Sequence, residues 1–112
     1  DLFGWGLIPW DGNLRKNKRL FIREIYEKLI ALQPKVVVPG HGPLASQVHL
    51  KRWLQYYDET YQTMAQMVSQ GATTEQLCAL PPPEDMLDWW RFSSWKHADT
   101  LKKLCKATTQ GW

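Results

Sequence analysis

The spacing of apolar residues changes along this chain, and each change predicts a different element. Leu50, Leu54, Tyr57, Tyr61, Met64 and Val68 recur at alternating steps of four and three. That is the period of one helix face, so a long amphipathic helix is expected, with Gly71 as its C-terminal stop. Upstream, Phe21, Ile22, Ile25, Leu29 and Leu32 form a similar stripe and predict a helix over residues 14–32. Asn13 can cap its first free amides, and Pro34 ends it because the residue before proline avoids the helical region. Residues 35–38 contain Val36, Val37 and Val38, a β-branched run that reads as a buried strand. Residues 1–8 are short, apolar and glycine-punctuated, and read as the end of a strand followed by a loop. Thr73 and Gln76 have capping-box spacing and start a short helix. Pro81, Pro82 and Pro83 break the chain, residues 86–92 are compact and aromatic, and Ser93 or Ser94 can cap a last helix. That helix carries Trp95, Ala98, Leu101, Leu104 and Cys105.

The predicted order is strand, helix, strand, then helices alone. Two short strands do not make a stable sheet unaided, so the chain reads as part of a larger sheet. At 112 residues it has the length of one modest domain. Its 44% hydrophobic and 22% charged content is ordinary for a soluble globular protein, and nothing resembles a signal peptide or a membrane span. The chain starts at Asp1 rather than Met, so a natural start further upstream is possible. The compartment stays open, with a soluble, cytoplasmic protein favoured.

A net charge of +3 is mild, and much of it sits in Arg15, Lys16, Lys18, Arg19 and Arg23. Such a cluster usually means a solvated helix face, and nucleic-acid binding is not expected. Cys78 and Cys105 lack metal-knuckle spacing and read as buried free thiols. Seven tryptophans is a high count for this length; tryptophan lines pockets and interfaces, and also simply fills cores.

The predicted strand ends in Pro39-Gly40-His41-Gly42-Pro43. Two glycines allow backbone angles that a Cβ forbids, and two prolines stiffen the turn around them. One histidine is thereby held at the C-terminal end of a strand, where open α/β folds place ligands. Two readings are open: a metal ligand, or the ornament of a tight turn. His49 and His97 read as capping, packing or solvated residues. The 81–95 stretch could close over a pocket, although aromatic runs more often fill a core.

Residues 1–3, the loop with Pro9 and Gly12-Asn13, the helix and the run 34–43 together resemble the C-terminal half of the metallo-β-lactamase fold. The likeness is to the hydrolase-like subgroup with a helical tail after the Gly-His-Gly turn. It implies an α/β (α+β) fold, a partial αββα sandwich half with two or three short strands. Residues 1–43 would form the C-terminal part of an αβ half, and 44–112 a helical extension packed on it. In that family two metals, usually zinc, lie between two halves. An aspartate bridges them, the position Asp1 matches, and the turn histidine binds the second metal, the position His41 matches. The glycine that normally precedes the aspartate is absent here. Trp10 and Asp11 would shape the mouth of the site.

The family's main ligand motif, HxHxDH, is also absent. A catalytic zinc site takes about three protein ligands and a water, so this chain alone should not hold a productive centre. The resemblance therefore implies the C-terminal portion of a zinc-dependent hydrolase, not catalytic by itself. One or two zinc ions would sit in the complete fold, with a small-molecule substrate. The expected partner is a missing N-terminal half or a second copy of the chain. The alternative is a non-catalytic helical module for binding or self-association, derived from such a fold.

Overall fold

The computed structural model describes residues 2–112, apart from the side chains of residues 11, 13 and 17. Helix α1 is Lys16–Ala31, α2 is Gln47–Ser69, α3 is Thr74–Cys78 and α4 is His97–Thr109. A 3-10 turn at Asp11–Leu14 precedes α1, another at Glu84–Met86 follows α3, and a π-helical turn at Phe92–Lys96 leads into α4.

The predicted α/β sandwich half is not formed. The chain is 61% helical, and no sheet exists among the described residues. Only two isolated bridges remain, Gly4 with Leu7 and Val37 with Ala45. Each has a local cause. Trp5 and Gly6 both take positive φ, at 51° and 91°, and fold the first segment back on itself. The Leu7 amide then donates to the Gly4 carbonyl at 3.2 Å, so this is a turn rather than a strand. Val37 exchanges both backbone bonds with Ala45 at 2.8 Å, which closes the base of the histidine loop. One bridged pair is too little for a sheet. Val36 and Val38, expected to be buried, are 57% and 77% exposed.

The first segment is held by side chains instead. Lys96 Nζ donates to the Gly4 carbonyl at 2.9 Å, and Thr100 Oγ1 donates to the Gly6 carbonyl at 2.9 Å. Lys103 Nζ donates to the Ile8 carbonyl. Alternate carbonyls of residues 4–8 thus find donors on one face running from the π-turn through α4. Steps of four and three between Lys96, Thr100 and Lys103 keep the three donors on one helical face.

Helix α2 forms as expected and carries the core. Leu50, Trp53, Leu54, Tyr57 and Met64 are buried on it. They pack with Tyr26 from α1 and with Leu101 and Leu104 from α4. Tyr26 stacks on Trp53 at 4.3 Å, and Trp53 on Tyr57 at 5.4 Å. The Tyr26 hydroxyl donates to the Leu2 carbonyl, and burial raises its pKa. Gly71 ends the helix region at φ 83°, and the Thr73–Gln76 capping box has both its bonds. The predicted stripe of α1 divides: Ile22 and Leu29 pack against the core, whereas Phe21 and Leu32 face outward, and the buried residue is Tyr26, outside that stripe. Ser93 and Ser94 do not cap α4; their hydroxyls donate to the Leu87 and Arg91 carbonyls.

The basic cluster is largely engaged within the fold. Arg15 lies over Trp112, Lys18 over Trp10 and Arg19 over Tyr61, at 4.4–5.4 Å from the ring centres. Arg23 pairs with Asp58 across α1 and α2. Both cysteines are free thiols; Cys105 is buried, while Cys78 is only partly so.

Thr100 is fully buried, so its bond to Gly6 is testable by isosteric replacement. Thr100→Val keeps the shape and strands a buried carbonyl, which should cost about 1–3 kcal/mol. Urea unfolding followed by tryptophan fluorescence measures this; a change within the few tenths typical of a surface site would mean that the bond holds nothing in place.

Candidate functional site

The site is built around the turn. The Val37–Ala45 pair fixes its two ends. Inside it, Gly42 takes φ 93° and sits against two indoles. A Cβ there would lie 2.8 Å from the Trp90 ring and 2.9 Å from Trp5. The second glycine of the motif is therefore required twice, for its backbone angle and for the close approach of Trp5 and Trp90. Trp5 is itself wedged between His49 and Trp89, with ring centres 4.9 and 5.4 Å away.

His41 is exposed and lines a cavity of about 390 Å³. Phe3, Leu7, Trp90 and Trp95 supply apolar walls, and Arg91 and Lys96 supply two cations. Lys96 is buried, with 2% of its surface exposed. Its ammonium lies 4.1 Å from the centre of the Trp90 ring as well as on the Gly4 carbonyl. Desolvation, and then the charge of Arg91, bring its pKa down to about 8. Arg91 holds a left-handed backbone at φ 55°, and its guanidinium lies 4.8 Å from the same ring centre.

The other turn residues face elsewhere. Pro39 and Gly40 line an apolar groove of about 410 Å³ with Leu2, Leu32, Val36 and Val38. Pro43 faces a third concavity beside His49 and Arg52. Trp10 is exposed under Lys18 and does not line the His41 cavity; Pro9 does. Asp11 falls in the 3-10 turn, and its side chain is outside the description. Asp1 lies outside the described residues.

His49 and His97 have structural work. His49 Nδ1 accepts the Ser46 amide at 3.0 Å and caps α2. His97 is buried between two partners, with Tyr56 Oη 2.8 Å from Nδ1 and the Leu80 carbonyl 2.8 Å from Nε2. A carbonyl only accepts, so Nε2 carries the proton and Nδ1 accepts from the tyrosine. Among the described residues, no group of three or more His, Cys, Asp or Glu side chains could hold a metal ion. The donors described do not make a metal site by themselves.

Sequence reasoning found the turn and missed the cations. The available signal was the Trp89-Trp90-Arg91 and Trp95-Lys96 pairing of aromatic with basic residues. The chain matches no protein-family model, no curated protein and no solved structure. No helix among the described residues is long and apolar enough to cross a membrane.

Gly42 and Gly71 separate the two demands on a turn glycine. Both have positive φ, but a Cβ at Gly71 meets nothing within 4 Å. Gly71→Ala should cost about 1 kcal/mol from backbone strain alone. Gly42→Ala should cost roughly 2–4 kcal/mol, because overpacking against the indoles is added. Chemical denaturation of both variants measures the difference; equal costs would mean that Trp5 and Trp90 do not clamp the turn.

Proposed function

We propose that this chain is the C-terminal portion of a metal-dependent hydrolase related to the metallo-β-lactamases, and that His41 is its contribution to the metal centre. The observation that carries the reading is the placement of His41. It stands exposed on a clamped, doubly glycine-bearing turn, at the edge of an aromatic cavity. A ligand needs that combination of a fixed backbone and an accessible imidazole. The proposal requires no sheet within the chain.

The remaining ligands would come from a unit covering the groove beside the turn. Leu2, Leu32, Val36 and Val38 are each more than half exposed there. Val36 and Val38 flank the single bridged residue, and their backbone groups are available to a further strand, which is how an uncovered edge is usually completed. Zinc in such a centre supplies hydroxide near neutral pH and polarises the bond under attack. His41 would offer one neutral imidazole nitrogen, and the aromatic cavity would take the part of the substrate that projects away from the metal.

A second reading draws on the same uncovered face: a non-catalytic module that binds a partner or a second copy of itself. An apolar surface of this kind marks an interaction site whether or not chemistry follows.

Metal content separates the two. The protein encoded by the reading frame continuing upstream of the Asp1 codon should contain an HxHxDH ligand set and bind about one to two zinc ions per chain. His41→Ala should remove about one of them, with the circular dichroism unchanged. Elemental analysis by mass spectrometry measures this. An upstream frame without such ligands, or zinc content indifferent to His41→Ala, overturns the hydrolase reading and leaves the module.

A further inference from the structure

We propose that the cavity beside the His41 turn is a binding site for a flat aromatic carboxylate, with Lys96 and Arg91 receiving the carboxylate and Phe3, Leu7 and Trp95 the ring. The inference deepens the hydrolase reading, since it names the kind of molecule the site would accept.

Arginines that line the other concavities sit beside acids or aromatic rings. In the concavity between α1 and α2, lined also by Lys16 and Arg19, Arg23 pairs with Asp58 and Arg19 lies over Tyr61. Beside Pro43, Arg52 holds Asp85 through two bonds of 2.6 and 3.0 Å. The groove under Val36 and Val38 has no charged lining residue among those described. The His41 cavity differs from each of these. Among the described residues its lining has two cations and no acid.

Lys96 is the more informative of the two. A buried ammonium is costly to desolvate, and a methionine or leucine would fill the same space without that cost. Its bond to the Gly4 carbonyl satisfies one of three N–H donors. The face of Trp90 attracts the charge but offers no lone pair for the other two. Lys96 lines the cavity, and its remaining donors are suited to an oxygen anion. A structural role confined to Gly4 would need only one of them.

Arg91 adds a second, independent observation. It is one of three non-glycine residues with positive φ in the described chain, a conformation that costs energy and tends to persist where position matters. The Phe92 amide bonds back to the Trp89 carbonyl at 3.0 Å and fixes that bend. The bend, with the π-turn after it, brings Arg91 and Lys96 to the same indole. Inserted π-turns of this kind are frequent at functional sites. The walls are otherwise aromatic and aliphatic, and about 390 Å³ suits a one- or two-ring molecule. A small multiply charged anion would leave those walls in contact with water, so a monoanion with an apolar body fits better than phosphate.

The test uses the present chain without metal, so it can fail while the zinc experiment succeeds, and the reverse. Naphthalene-2-carboxylate is titrated by calorimetry against naphthalene-2-carboxamide and inorganic phosphate. The carboxylate should bind about tenfold more tightly than the carboxamide, the scale of one charge-assisted contact. Phosphate alone should bind more weakly than the carboxylate. Arg91→Asn tolerates the left-handed backbone, and should weaken the carboxylate about fivefold while leaving the carboxamide unchanged. Lys96→Met should do the same, and Arg91→Asn carries the test if that variant does not fold. Equal binding of carboxylate and carboxamide, phosphate binding as tightly as the carboxylate, or indifference of the carboxylate to Arg91→Asn would each overturn the proposal.

Discussion

The carbonyls of Gly4, Gly6 and Ile8 are the constraint on which the rest of the structure depends. A non-helical segment without a neighbouring strand leaves backbone acceptors that must be satisfied once they are buried. Lys96, Thr100 and Lys103 satisfy them from a single helical face. That contact fixes the depth at which Phe3 and Trp5 enter the fold. Trp5 then stands against Gly42 and sets the histidine turn, while Phe3 becomes a wall of the cavity. Thus the C-terminal helix, far from His41 in sequence, determines where His41 is presented.

The burial of Lys96 follows from the same arrangement. Its ammonium bonds Gly4, approaches Trp90 and lines the cavity at once. One residue therefore joins the scaffold to the site, and desolvation lowers its pKa as the consequence. The uncovered groove lies on another side of the turn, along Val36 and Val38. The turn thus stands between a lined pocket and an uncovered apolar groove. That placement is what a shared centre requires of a residue contributed by one of two parts.

Local signals were legible in the sequence wherever one element decided the outcome. The steps of four and three from Leu50 gave α2 its buried face, and Thr73 with Gln76 marked the start of α3. Strand propensity misled at residues 1–8 and 36–38, because a strand exists only when its partner does. Trp5-Gly6 bends the first segment, and the second finds one bridged residue at Ala45. The stripe of α1 misled for a related reason: Leu32 faces the uncovered groove. Nothing in the spacing of Lys96, Thr100 and Lys103 announces that they serve the carbonyls of residues 4–8, more than ninety positions earlier. Lysines at helical intervals ordinarily read as solvated. Long-range pairing of this kind is set by topology, and the cavity, with its cations beside His41, inherits that illegibility.

Among the described residues the edge beside the His41 turn is open, and the proposed function has a further segment close it. Amide hydrogen exchange at Val36 and Val38 tests it most directly. Within the described residues only Val37 of the three has a bonded amide, donating to the Ala45 carbonyl at 2.8 Å. Val36 and Val38 should exchange rapidly in the present chain at any protein concentration, and slowly in the longer product of the upstream reading frame. Protection already present in the short chain, or unchanged fast exchange in the long one, would contradict the account.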